Sequence, residues 1–141
     1  MTKFLDARSS QNAALFNSIS IPIPVIFTPQ LFGQIGLITA GVGTNLRVSL
    51  KGTITVQLPR ALFIVRITVV RGTIATDPIV YSGNHTYGLN GLLNPEVIVF
   101  SSTDYNPPLM PQLTYSAFIS TNLLGTTRVG PESFDGFVVS D

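Results

Sequence analysis

Any chemistry in this sequence has to start from one histidine and seven carboxylates, because the chain contains no cysteine. His85 stands in the turn-rich stretch Asn84-His85-Thr86-Tyr87-Gly88 with no second histidine to share a metal ion, and metal sites draw on clusters of His, Cys and carboxylate. Serine-based hydrolysis would lean on the same His85, without a nucleophile-elbow motif around any serine. A carboxylate pair of the kind that cleaves glycosides is the other acid–base option: Glu132 and Asp135 are close in sequence, and Asp104 falls in an expected loop. Yet Glu132 follows Gly130-Pro131 at the start of a terminal strand, where a solvated carboxylate is the ordinary outcome. Gly41-Val42-Gly43 lacks the helix that would make it a phosphate loop, and Asn84-His85-Thr86 fits an N-glycosylation pattern with a high random rate. The sequence therefore predicts no catalytic, metal-binding or cofactor-binding residues, and the chain is not read as an enzyme.

The elements that would position these residues are strands. Leu46, Val48, Leu50, Ile54 and Val56 alternate with Arg47, Ser49, Lys51, Thr53 and Thr55, the period of two of a half-buried strand. After Pro59-Arg60 a second run, residues 61–71, is rich in β-branched and aromatic residues. The two read together as a β-hairpin. If Phe63, Val65, Ile67 and Val69 point inward, then Leu62, Ile64 and Val70 share the outer face with Arg66 and Thr68, and something should cover that face. Further strands are expected over 31–39, with two glycines marking a bulge or close approach, and over 78–81, 96–103, 112–120, 126–129 and 132–139. Residues 82–94 read as loop from their Asn and Gly turn signals. An edge strand over 19–27 is interrupted by Pro22 and Pro24. No run carries helical periodicity. Eight to nine short strands with Gly, Pro and Asn turns predict an all-β fold, a single antiparallel β-sandwich of jelly-roll type with an extended N-terminal arm.

Composition narrows the role. Only 11% of residues are charged, against roughly 25% in ordinary soluble domains, and mean hydropathy is +0.41. Both point to an assembled or embedded chain. The apolar runs are far shorter than the ~20 residues of a spanning helix, and neither the lumen face nor the aromatic girdles of a membrane barrel are visible. A net charge of +1 gives no argument for nucleic acid. No apolar signal segment follows Met1, so the chain is expected to reach its site without a secretory signal. Residues 7–76 contain no acid, whereas residues 77–141 hold Asp77, Glu96, Asp104, Glu132, Asp135 and Asp141; cross-strand pairing of early bases with late acids explains this most simply, and complementarity between subunits is the alternative.

The organisation expected is a connector arm at 1–17 and a jelly-roll domain at 18–141. The arm is polar, with isolated apolar residues at Phe4, Leu5, Leu15 and Phe16. Such a segment is either a frayed end or an extended peptide that adds to another subunit's sheet. The subunit interface is accordingly expected at Phe4, Leu5, Leu15, Phe16, Leu62, Ile64 and Val70, and deletion of residues 1–10 is expected to leave a folded monomer.

In Met1-Thr2 with Asp6 and Gln11, Val48-Ser49-Leu50-Lys51-Gly52-Thr53-Ile54, Leu62-Phe63, Ile79-Val80-Tyr81, Thr121-Asn122-Leu123 and Val129-Gly130-Pro131, the chain resembles the small jelly-roll proteins of Bacillus-type endospore exosporium and endospore appendages. It departs from the cysteine-rich appendage subunits in having no cysteine. The resemblance implies a structural subunit of the spore surface that stacks into a fibre or layer through an N-terminal connector. Its partners would be copies of itself and other spore-surface proteins, with no cofactor, nucleic acid or membrane. The competing reading is a trimeric jelly-roll binding module of the tumour-necrosis-factor or complement type, in which three-fold packing buries the apolar sides.

Overall fold

The computed structural model describes residues 1–57, 63–87 and 95–141, with the backbone alone at Phe63. Nine strands run through these residues: β1 (Lys3–Ala13), β2 (Ile21–Pro22), β3 (Gln30–Ile38), β4 (Arg47–Gln57), β5 (Phe63–Arg71), β6 (Ile79–Tyr87), β7 (Pro95–Tyr105), β8 (Gln112–Thr121) and β9 (Thr127–Ser140). One sheet has the order β1-β9-β4-β7 with the short β2 added to β9, and the other has the order β3-β8-β5-β6. Every pairing is antiparallel. Consecutive long strands alternate between the sheets, except that β5 and β6 are neighbours in one, in the manner of an eight-stranded jelly roll, as the sequence predicts.

The β4–β5 hairpin is not present. β4 lies between β9 and β7, and β5 lies between β8 and β6 in the facing sheet. Period-two alternation sets which side chains face a core, and it does so correctly here: Val48, Leu50, Ile54 and Val56 of β4 and Val65, Ile67 and Val69 of β5 are all buried. It carries no information about which strand lies alongside, because both inner faces of a sandwich look alike to the alternating pattern. Residues 58–62, where the turn was expected, lie outside the described residues.

Phe100 sits at the centre of the core, with its ring 6.3 Å from that of Phe134, 5.5 Å from Tyr81 and 6.2 Å from Phe32. Full burial of such side chains contributes ~1.5–3 kcal/mol each. Close approach at this cluster requires glycine: a Cβ on Gly33 would fall 2.4 Å from Phe134 Cβ. A bulge lies beside it, between Leu31 and Gly33, as the two glycines of β3 predict.

The sequence expectation for residues 1–17 is corrected. Instead of an arm outside the domain, Lys3–Ala13 is a full strand paired with β9 from Lys3–Ser140 to Ala13–Glu132. Its hydrophobic period is missing for a physical reason. β1 and β3 are the edges of the two sheets and pack against each other, and polar side chains of β1 satisfy β3. The Ile38 amide donates to Asp6 Oδ2 (2.9 Å), and Asn12 Nδ2 donates to the Phe32 carbonyl. An edge covered by hydrogen-bonding side chains shows no apolar pattern. Likewise β6 runs to Tyr87, past the expected loop from Ser82, because residue-by-residue pairing with β5 overrides the Asn and Gly turn signals. Over 19–27 only Ile21–Pro22 is strand, as Pro22 and Pro24 dictate.

Candidate functional site

The carboxylates come first, since acid–base chemistry would rest on them. Glu132 and Asp135 are three residues apart on β9, so they point to opposite faces of the sheet. Asp135 faces outward and meets Lys51 Nζ at 3.6 Å. Glu132 is fully buried, which corrects the expectation of a solvated group. Its Oε2 accepts from Arg128 Nε (3.0 Å), while its Oε1 accepts from Arg128 Nη2 and from Asn12 Nδ2 (2.8 Å). Arg128 and Glu132 flank a register shift opposite Ile54 and Val56, and this shift turns both side chains into the interior. Asp104, expected in a loop, is a buried residue of β7. Arg71 of β5 grips it through two nitrogens (2.8 and 2.7 Å), and the Tyr115 hydroxyl of β8 donates to its Oδ2 (2.7 Å). The charged bond to Asp104 raises the Arg71 pKa, and burial, followed by the bond to Asp104, pushes the Tyr115 phenol far above its ordinary value. This triad joins one sheet to the other. All three carboxylates of the glycosidase option thus sit on a base. Arg47–Asp141, Lys51–Asp135 and Arg71–Asp104 each join an early base to a late acid, the intrachain pairing that explains the lopsided charge distribution. His85 lies on β6 opposite Val65, and among the described residues no group of three or more His, Cys, Asp or Glu could hold a metal ion.

The residues expected at a subunit interface are scattered. Phe4 projects outward from β1 and is 65% exposed, whereas Leu5 turns inward at a bulge and packs on the core. Leu15 and Phe16 are exposed just beyond β1. Ile64, on the outer face of β5, is part-covered at 36% exposure. Val70 is completely buried within its own chain, so no second copy can cover it. The correction has a local cause: β5 leaves register with β6 between Val69 and Val70, and the neighbouring Ser116 hydroxyl donates to the Gly72 carbonyl of the following turn. Leu62 lies outside the described residues.

The outer face of the β3-β8-β5-β6 sheet is covered in part by the chain itself. Phe27, whose amide donates to the Thr121 carbonyl (2.8 Å), and Ala75 and Ile79 stand around a cavity of about 360 Å³ whose other walls include Ile64, Arg66 and Asn84. Phe27 was missed in sequence because it reads as the end of an edge strand. Its backbone is left-handed, with φ 56°, which nothing in a phenylalanine predicts.

With this geometry in place, one comparison bears on the fold. The chain is similar in structure to a chain of the IBDV T13 viral particle, with a TM-score of 0.55 at 12% identity over 94% of its length. This similarity is one of jelly-roll fold alone. The chain spans about a third (34%) of that viral chain. Weaker likenesses, to the enzymatically active domain of bacteriophage CBA120 tailspike protein 4 (TM-score 0.36, 10% identity, 94% of this chain and 18% of that one) and to a CBM4 structure (0.35, 14%, 94% and 89%), add nothing to the assignment. No protein-family model matches the sequence, and neither does any curated protein.

Proposed function

We propose that this chain is a non-catalytic structural subunit that assembles with copies of itself, head to tail and by exchange of β1, into a fibre or layer. The observation that carries this reading is a pair of unlike apolar ends. Leu15, Phe16, Val25, Ile26 and Leu124 are exposed where β1 and β8 end, and Ile38, Leu109 and Met110 are exposed where β3 ends and β8 begins. Two different patches at opposite ends meet only head to tail, and that geometry makes a ring or an open filament. Exposed apolar patches mark association sites.

The joint is β1. Residues 14–18 are all exposed, and Asn17 takes a left-handed turn with φ 59°. Beyond them the chain is anchored again, the Ile19 amide donating to the Val129 carbonyl and the Ile23 amide to the Thr126 carbonyl. A change confined to this hinge swings β1 away while the domain stays closed. In a neighbouring copy β1 would remake the same ladder on β9, the Asn12–Glu132 bond and the burial of Leu5, so exchange conserves the contacts and adds those of the hinge. Such swapping is a low-cost route to association. The spore-surface setting, with other spore-surface proteins as neighbours, rests on the sequence resemblance. Electron microscopy of purified protein tests the reading: filaments or sheets are expected, and monodisperse closed trimers would instead favour a binding module.

A further inference from the structure

The cavity on the outer face of the β3-β8-β5-β6 sheet carries an inference independent of assembly. Its volume of about 360 Å³ falls in the range of roughly 300–1,000 Å³ typical of small-molecule sites. Phe27, Ile64 and Ile79 supply apolar wall, and Arg66, Asn84 and Asn122 supply polar groups. Arg8, Arg47, Lys51, Arg71 and Arg128 each hold a carboxylate. Arg66 differs: among the described residues its partner is the neutral Asn84, whose Oδ1 accepts from Arg66 Nε at 2.9 Å. That bond fixes the guanidinium plane and leaves both terminal nitrogens for a ligand. A fixed guanidinium beside apolar wall is suited to bidentate capture of a carboxylate. Asn122 Oδ1 accepts from the Ile64 amide (2.7 Å), so its Nδ2 remains as a further donor. At the rim Phe27 is 73% exposed and holds a left-handed backbone that a bulky residue rarely adopts. Strain of this kind collects at ligand clamps. A flat ring displayed at a cavity mouth offers a stacking surface.

We propose that this cavity binds a small carboxylate with a ring-shaped body, the acid gripped by Arg66 and the ring laid against Phe27. Phenylacetate and its uncharged counterpart phenylacetamide are suitable probes of the full-length chain. Ligand-observed saturation-transfer NMR reads binding whatever the size of the assembly, so polymerisation or its failure does not affect the outcome. Phenylacetate is expected to bind with a dissociation constant on the order of millimolar, as suits a fragment of its size, and phenylacetamide at least tenfold more weakly. Arg66→Gln is expected to abolish that preference and Arg66→Lys to restore part of it, while Phe27→Ala weakens the binding of both probes. Equal binding of acid and amide to the unmodified protein, or binding indifferent to Arg66→Gln and Phe27→Ala, would overturn the proposal. So would the absence of saturable phenylacetate binding.

Discussion

Replacing Glu132 by glutamine puts the buried charge cluster to a quantitative test. The amide that replaces the carboxylate keeps one carbonyl oxygen for Asn12 or Arg128 but removes the charge, leaving Arg128, whose side chain is 5% exposed, as an unpaired interior cation. Removing one partner of a buried ion pair costs about 3–5 kcal/mol, because the survivor has lost its solvent and gained nothing in return. For 141 residues, an unfolding entropy of ~2.1 cal/mol/K per residue gives ~0.3 kcal/mol per degree. Glu132→Gln should therefore lower the melting temperature by about 10–17 °C, measured by circular dichroism on dilute protein. Arg128→Met combined with Glu132→Gln should recover most of the loss, since it removes the unpaired interior cation that the single variant leaves. A single variant melting within about 3 °C of the parent, less than a third of the smallest expected shift, would refute the reasoning.

Three further outcomes follow from the same geometry. The raised pKa of Tyr115 means that the fold binds the phenol proton more tightly than the unfolded chain does, so this stabilisation is complete below the unfolded value of 10.0 and is lost as pH rises above it. Tyr115→Phe should flatten the alkaline limb of the stability curve in denaturant titrations. Asp6 runs the other way: the Ile38 amide, and after it Arg8, hold its carboxyl below the usual range, so its contribution is present above pH 3.8 and fades on acidification. Hydrogen-exchange protection, taken relative to the intrinsic rate at each pH, should fall in β1 before it falls in β4 as pH drops through that region. Deleting residues 1–10 removes most of β1 and uncovers the edge of β9, so the truncated chain should melt well below the parent rather than persist as a stable monomer. A synthetic peptide of residues 1–13 should restore its melting temperature; a truncated chain with unchanged stability would show that β1 contributes no strand.

The fold class was legible because alternation of the type Val48, Leu50, Ile54 and Val56 reports directly on a half-buried face, and glycine, proline and asparagine punctuate the strands. Partner choice was not legible, which is why β4 and β5 were joined as a hairpin although they lie in opposite sheets. Three other misses involve polar residues whose partners the local sequence pattern does not reveal. Asp6 and Asn12 make β1 look like a loose terminus because they serve the edge of β3. Glu132 looks solvated because its ion pair with Arg128 turns inward only through the register shift between them. Asp104 looks like a loop residue because Arg71 and Tyr115, which bury it, belong to the other sheet. Among the residues expected at an interface, the exposed Phe4, Leu15 and Phe16 stand out in sequence as apolar residues in polar surroundings. Leu5 and Val70 could not be separated from them, since local register decides which way each side chain points.

Exchange of β1 between copies can be trapped by a disulfide across the β1–β9 ladder, which the absence of native cysteine leaves free of background. Gln11 and Ser133 are paired in that ladder, close enough for a disulfide in antiparallel strands. Gln11→Cys protein and Ser133→Cys protein are mixed under assembly conditions and oxidised. A covalent heterodimer linking the two chains is expected, far in excess of what either forms alone. A mixture that stays uncrosslinked, while the chain carrying both cysteines closes only on itself, would contradict the exchange.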